Sequence, residues 1–259
     1  MDKIQACFGR THPIIGMIHL PPLPGYVDSP GIEQVIRQAV ADLHTLQAGG
    51  VDGVLVENEY DRPHRIKANA ETTAAMTRIT REIVHESRNM AVGCEILLHD
   101  PEASLAVAAT TGADFIRVDY FVDRMRRPEY GEFDIDPDGL LRYRSSIGAD
   151  DVLILADIQV KYAEMVEPRP IRASAELARQ KGADAVIVTG DASGNPPSIG
   201  DLQQAAAGLP VLIGSGLDAT NAKALLAECD GAIVGTSIMS NGRVDAIALA
   251  QLMSAIRGN

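Results

Sequence analysis

Eight short runs rich in β-branched residues recur along the chain, with a helical pattern between each and the next. They are PIIGMIHL (13–20), DGVLVEN (52–58), AVGCEILL (91–98), DFIRVDY (114–120), DVLILADI (151–158), DAVIVTG (184–190), PVLIGSG (210–216) and GAIVGTS (231–237). Each is a continuous apolar stretch, as expected of strands buried on both faces of a parallel sheet. The clearest helix opens at Ser29-Pro30, an N-cap followed by proline. Ile32, Val35, Ile36, Ala39, Val40, Leu43 and Leu46 then recur at three- and four-residue spacing, and Gly49 closes the run. Further helices are expected at 68–87, 102–111, 138–146, 171–181, 200–207, 218–228 and 244–257.

A weak repeat supports the count. GVDGVLV (50–56), GADFIRV (112–118), GADAVIV (182–188) and CDGAIV (229–234) each set an aspartate among small residues before a strand. They fall on strands two, four, six and eight, a period of two βα units that suits an eightfold barrel. A doubly wound open sheet is the rival, but its first-turn GxGxxG is missing. No break in composition marks a second domain. The expected fold is therefore a (β/α)8 TIM barrel, one α/β domain over residues 1–259.

The chain has 259 residues, of which 46% are hydrophobic, and no tryptophan, so aliphatic packing must dominate its core. Its formal net charge of −12 argues against nucleic acid, whose phosphates need a basic face. It leaves room for a small phosphorylated ligand held by a local site. No apolar stretch reaches the roughly 18 residues of a membrane-spanning helix, and the first residues lack a signal-peptide pattern. Cys7, Cys94 and Cys229 are widely spaced with no CxxC or zinc spacing, which fits a reducing, cytosolic compartment.

In a barrel, the loops after strands seven and eight often form a phosphate site. Here those strands end in Gly-Ser-Gly and Gly-Thr-Ser. Glycine lets the backbone approach a ligand, successive N–H groups point at its oxygens, and a following helix N-terminus adds positive charge. Gly214, Ser215, Gly216, Gly235 and Thr236 are the expected anion-binding residues, with Ser237 a further hydroxyl. The alternative is that these glycines only turn the chain.

Charged residues at the C-terminal ends of barrel strands point inward, toward the mouth. This singles out His19, Glu57, Glu95, Arg117, Asp119, Asp157 and Thr189, with Lys161 just after strand five. Four clustered carboxylates raise one another's pKa or hold a cation. Either suits acid–base work on a small polar ligand. For any one member the alternative is a structural ion pair, such as Arg117 with Asp119 or Glu95. His44, His64 and His85 read as solvated, and Asp100 as a helix N-cap. Residues 120–139, 159–170 and 189–198 are long enough to cover the mouth. Arg124, Arg126 and Arg127 of the first either reach an anion or face solvent.

GMIHLPPLPG (16–25), GVDGVLVENEYDRP (50–63), GADFIRVD (112–119), ADIQVKYA (156–163) and VTGDASGNPP (188–197) together resemble the BtpA/SgcQ family, in order across nearly the full length. That family is similar to phosphate-binding TIM barrels. The resemblance implies two unlike roles. One branch is linked to photosystem I biogenesis at photosynthetic membranes; the other lies among sugar-metabolism genes and is described as a nucleosidase or nucleotide hydrolase. Matching positions include His19, Glu57, Asn58, Asp61, Arg117, Lys161, Thr189 and Gly190. The family pattern carries Asn where Glu95 stands and Lys-His where Lys161-Tyr162 stands, which implies a more acidic pocket here.

Three functions follow as expectations. The first is an enzyme of isomerase, hydrolase or glycosyl-transfer type acting on a phosphorylated sugar or nucleoside-like molecule. Its catalytic residues are drawn from His19, Glu57, Glu95, Asp119, Asp157 and Lys161, and its substrate contacts from Asn58, Arg117, Thr189, Gly190 and Asp191. No cofactor is required and Mg²⁺ is an optional companion. A Schiff-base role for Lys161 is disfavoured, because nearby carboxylates raise an amine's pKa. The second is a non-catalytic assembly factor and the third a metabolite-binding regulator. Expected partners are a phosphorylated small molecule and further copies of the chain, with no nucleic acid and no transmembrane segment.

Overall fold

The computed structural model describes residues 3–88, 90–133 and 135–258. Eight parallel strands close into a barrel in sequential order: β1 (Ile14–His19), β2 (Gly53–Glu57), β3 (Ala91–Glu95), β4 (Phe115–Val118), β5 (Leu153–Asp157), β6 (Ala185–Val188), β7 (Val211–Ile213) and β8 (Gly231–Val234), with β8 pairing back onto β1. All eight expected runs are strands of this barrel.

The helices are α1 (Lys3–Phe8), α2 (Ile32–Gly49), α3 (Ala70–Glu86), α4 (Pro101–Thr111), α5 (Pro137–Ser146), α6 (Ile171–Gln180), α7 (Ile199–Ala205), α8 (Ala222–Leu226) and α9 (Ala246–Arg257). In α2 the apolar stripe packs inward through Val35, Ala39, Leu43 and Leu46. It begins later than Ser29-Pro30 suggested, with Gly31 at the cap and no side-chain cap bond. Its two closing glycines do different work. A Cβ at Gly49 would strike Leu249 of α9 at 2.2 Å, whereas Gly50 takes the left-handed cap at φ 78°. Asp100 caps α4 as expected, accepting from the Ala103 amide. The expected helix at 218–228 shrinks to the five residues of α8, because the side chains of Asp218 and Asn221 accept from each other's backbone amides in a local turn.

Alternate strand residues face the interior. Ile15, Met17, Leu55, Phe115, Leu153, Leu155, Ile187, Leu212 and Ile233 fill it, and Ile4 and Phe8 of α1 join this cluster. Phe8 meets Phe115 at 5.3 Å between ring centroids, and Gly93 makes room for the Phe115 ring. The same alternation, carried one step further along each strand, brings polar residues inward at the C-terminal end.

The aspartate repeat has a structural cause. Asp52, Asp114, Asp184 and Asp230 each accept a hydrogen bond from an amide in the first two residues of the preceding odd strand, at Ile14 (2.8 Å), Val92 (2.9 Å), Ile154 (2.9 Å) and Val211 (2.8 Å). Each aspartate amide donates in return to the carbonyl of that same residue. Four two-point clasps therefore join the N-terminal ends of β1 to β2, β3 to β4, β5 to β6 and β7 to β8. This is the stability face of the barrel.

Candidate active site

The opposite, C-terminal face carries a pocket of about 930 Å³. One wall holds His19, Glu57, Arg117, Asp119 and Lys161; the other holds Gly214, Ser215, Gly216, Gly235, Thr236 and Ser237. Both expected clusters thus border the same space.

Arg117 is the hub of the first wall. Its Nε donates to Asp157 Oδ2 at 2.7 Å and one terminal nitrogen to Oδ1 at 3.1 Å, a bidentate, charge-assisted pair. Glu95, Asp119 and Glu57 stand farther off, at 3.7, 3.8 and 4.0 Å. The guanidinium therefore stands among the four carboxylates. Among the described residues, no group of three or more His, Cys, Asp or Glu is arranged to hold a metal ion.

The expected catalytic set divides by depth. His19, Glu57, Asp119 and Lys161 line the pocket, whereas Glu95 and Asp157 lie behind it, buttressing Glu57 and Arg117. His19 and Glu57 are in register on β1 and β2, with Nε2 3.7 Å from Oε1. Burial lowers the His19 pKa, and Lys161 and Arg117 push the same way against Glu57. Burial pushes Glu57 up, but His19, a hydrogen bond with Glu95, Arg117 and Lys161 outweigh it and hold Glu57 below its ordinary value. Burial first, then Asp157 and Glu57, lift Asp119 to about 6 despite Arg117 and Lys161. Lys161 has no ion-pair partner within 4 Å among the described residues.

The expected substrate contacts also divide. Arg117 lines the pocket, but Asn58 is spent on structure. It donates to Asp61 (2.9 Å) and accepts from the Leu97 amide (2.7 Å), pinning loop two to loop three. Thr189 and Gly190 sit behind the glycine wall, and Asp191 is exposed on the following loop.

On the glycine wall, Gly214 donates its amide to the Val188 carbonyl. Ser215 is buried at the pocket edge and its hydroxyl donates to Asn195 O at 3.1 Å, which braces the loop after β6. A Cβ at Gly216, where φ is +77°, would lie 2.2 Å from the Asn195–Pro196 backbone. Among the described residues, no backbone carbonyl takes the amides of Gly216 or Thr236. A three-residue 3-10 turn, Thr236–Ile238, follows β8, so backbone amides and hydroxyls, not a long helix, make this wall.

The loops close around the rim. Met125–Arg127, Gly131–Glu132 and Glu164–Met165 pair as a small antiparallel sheet over Leu98, Tyr120, Phe133 and Val160; Asp134 of that loop lies outside the described residues. Arg124 and Arg126 bind Glu132 on the outer surface. Arg127 reaches the pocket, its guanidinium 5.5 and 5.9 Å from the Tyr130 and Tyr162 ring centroids. Asp123 is buried and ties the Gln159 amide, Ser174 and Arg169 together, which fixes the loop that carries Lys161. Tyr162 accepts from the Ser193 amide at 2.7 Å, linking the loops after β5 and β6.

Glu59 and His64 are among the pocket residues that go beyond the sequence reading. Glu59 lines the pocket and pairs with Arg62; burial and Glu57 lift it to about 7. It lies two residues past Glu57, the spacing that keeps a side chain on one face. His64, expected in solvent, is buried against the Asn58 carbonyl and lines the pocket, because loop two folds back over the mouth.

These features define a (β/α)8 barrel with an ionisable pocket at the C-terminal mouth. The chain belongs to the BtpA family, whose model matches residues 10–258. It is 36% identical over 250 residues to an uncharacterized protein of Archaeoglobus fulgidus, covering 95% of this chain and 98% of that one. It is also 36% identical over 254 residues to the photosystem I biogenesis protein BtpA of Synechocystis, covering 95% and 86%. Among solved structures it resembles thiamine phosphate pyrophosphorylase from Pyrococcus furiosus, with a TM-score of 0.61, 15% identity and 96% of each chain covered. That likeness is one of fold. No helix among the described residues is long and apolar enough to cross a membrane.

Proposed function

We propose that this barrel is an enzyme that performs acid–base chemistry on a phosphorylated sugar or nucleoside-like small molecule. The observation that carries the reading is the single pocket of about 930 Å³ bordered by both the carboxylate–His19–Lys161 wall and the glycine wall. Its volume falls in the range of small-molecule sites. The phosphate lies on the amides of Gly216 and Thr236 with the Ser237 hydroxyl nearby, and the reacting end meets His19, Glu57, Asp119 and Lys161. A carboxyl group titrating near 6 is suited to proton transfer near neutral pH. Lys161 supplies positive charge where a negative oxygen develops. Isomerase, hydrolase or glycosyl transfer all fit this arrangement.

A thermal-shift screen tests the reading. Sugar phosphates are expected to raise the melting temperature and the corresponding free sugars to leave it unchanged. Running it with and without Mg²⁺ decides whether a cation accompanies the ligand. Equal response to phosphorylated and free sugars would remove the anion site. Turnover of a stabilising compound, lost in Asp119→Asn with binding kept, separates an enzyme from a regulator that only binds. Light scattering and cell fractionation test the accompanying expectations of self-association and a cytosolic location.

The Synechocystis relative's name supports a second reading, an assembly factor for a membrane complex. On that reading the pocket residues can be substituted without loss of function, and an exposed surface does the work.

A further inference from the structure

Glu57 and Glu95 end β2 and β3 opposite one another in a single register. Both are buried, at 5% and 3% exposure. They share their surroundings with Asp119 and Asp157, so four carboxyl groups flank one guanidinium. Arg117 commits its short hydrogen bonds to Asp157. Its distances to Glu95 and Glu57, 3.7 and 4.0 Å, are too long for hydrogen bonds. Glu95 Oε2 is buried with no hydrogen-bond partner. A full charge on Glu95 would therefore sit in a low dielectric beside a second carboxylate, facing only a guanidinium 3.7 Å away that Asp157 already pairs. Two carboxyl groups in contact relieve this by sharing one proton.

We propose that Glu95 is a neutral carboxylic acid in the resting protein and donates its hydrogen bond to Glu57, holding that pocket-lining carboxylate in place. Glu95 is then a positioning residue: it does not reach the pocket, and it acts through Glu57. The inference rests on the reading of Glu57 as a group that meets the ligand.

The surrounding charges agree. Burial, then Asp119 and Glu57, push the Glu95 carboxyl well above its ordinary value, and Arg117 opposes them without prevailing. His19 from β1 and Lys161 from the loop after β5 act on Glu57 and favour its ionised form. Asp157, from β5, is occupied by Arg117. The proton balance is closed. Glu57 takes one proton from a ligand, the pair then holds two, and one returns in the reverse transfer.

Infrared spectroscopy of the full chain with carboxyl-labelled glutamate reads the protonated form directly. Because Glu59 is lifted to about 7, the spectra are taken in a Glu59→Gln background; near neutral pH that protein is expected to show a protonated glutamate carbonyl band that disappears when Glu95→Gln is added and persists when Asp119→Asn is added. Glu95→Gln keeps the shape and a hydrogen-bond donor without a charge, so it is expected to melt within about 3 °C of wild type and to bind inorganic phosphate unchanged. When Glu57→Gln is added, which removes the neighbouring charge, the band should vanish at lower pH than without it. In that background a spectrum with no protonated glutamate near neutral pH overturns the proposal, as does a band that survives Glu95→Gln. A Glu95→Gln protein that does not fold also counts against it, because a neutral isostere should be accepted. Failure of inorganic phosphate to bind the wild-type protein would remove the anion wall and leave the infrared result standing.

Discussion

Arg117 and Asp157 project from the ends of neighbouring strands β4 and β5 and meet through two hydrogen bonds of 2.7 and 3.1 Å, both groups being buried. This pair organises the acidic mouth. A cation at the centre of four carboxyl groups lets them stay close, and the residue facing the pocket is steadied by one that does not. Replacing one partner of such a pair strands the other's charge. Arg117→Met is therefore expected to lower the unfolding free energy by about 3–5 kcal/mol, read by urea denaturation. Adding Asp157→Asn should recover part of that loss, because the carboxylate that Arg117 binds most closely is then neutral. A double variant as unstable as the single one would contradict this account.

Asp119 makes stability depend on pH. Its folded pKa of about 6 lies above that of an unfolded aspartate. The folded state thus holds the proton more tightly, so this group's stabilising contribution is full below about pH 4 and is lost as pH rises through about 6. Asp119→Asn removes the penalty and should raise stability by on the order of 2 kcal/mol at pH 8, with no gain at pH 4. Denaturation curves of both proteins across that range check it; a gain independent of pH would show that Asp119 is not the titrating group.

Gly216 sits where an added methyl group would meet the Asn195–Pro196 backbone at 2.2 Å, with φ at +77°. Gly216→Ala is expected to cost about 2 kcal/mol or more and to abolish stabilisation by sugar phosphates. Calorimetry with and without ligand measures both, and retained ligand response would place the phosphate elsewhere.

The base of the barrel should be energetically separate from the mouth. Asp230→Ala leaves the buried Val211 amide without its acceptor, at a cost of about 1–3 kcal/mol. Phosphate affinity in the folded variant should be unchanged, which isothermal titration tests directly.

The sequence shows the barrel because its strands are apolar along their whole length and its aspartates mark every second one. It also shows which polar residues end those strands, since a period of two carries Glu57, Glu95, Arg117 and Asp157 inward with Leu55, Phe115 and Leu155. Depth is what it hides. Glu95 and Asp157 lie behind the pocket lining, close to Arg117 from neighbouring strands, and a contact between strands leaves no local pattern. Loop residues are harder still: His64 is buried by a fold-back of loop two, and Ser215 turns to Asn195, neither of which has a local periodic signal. The helix α1 escaped notice because six residues show too little periodicity, although Ile4 and Phe8 close the barrel floor. Asn58 looks like a ligand contact by position and proves to be a loop tie.

The paired stitching at the floor has a consequence for how this architecture changes over time. Each aspartate side chain clasps its strand to one neighbour, so the ring carries four such clasps with ordinary backbone pairing at the seams between them. The stitching and the rim occupy opposite ends of the same strands and share no side chain. New chemistry can be tried at one end while the other keeps the cylinder shut.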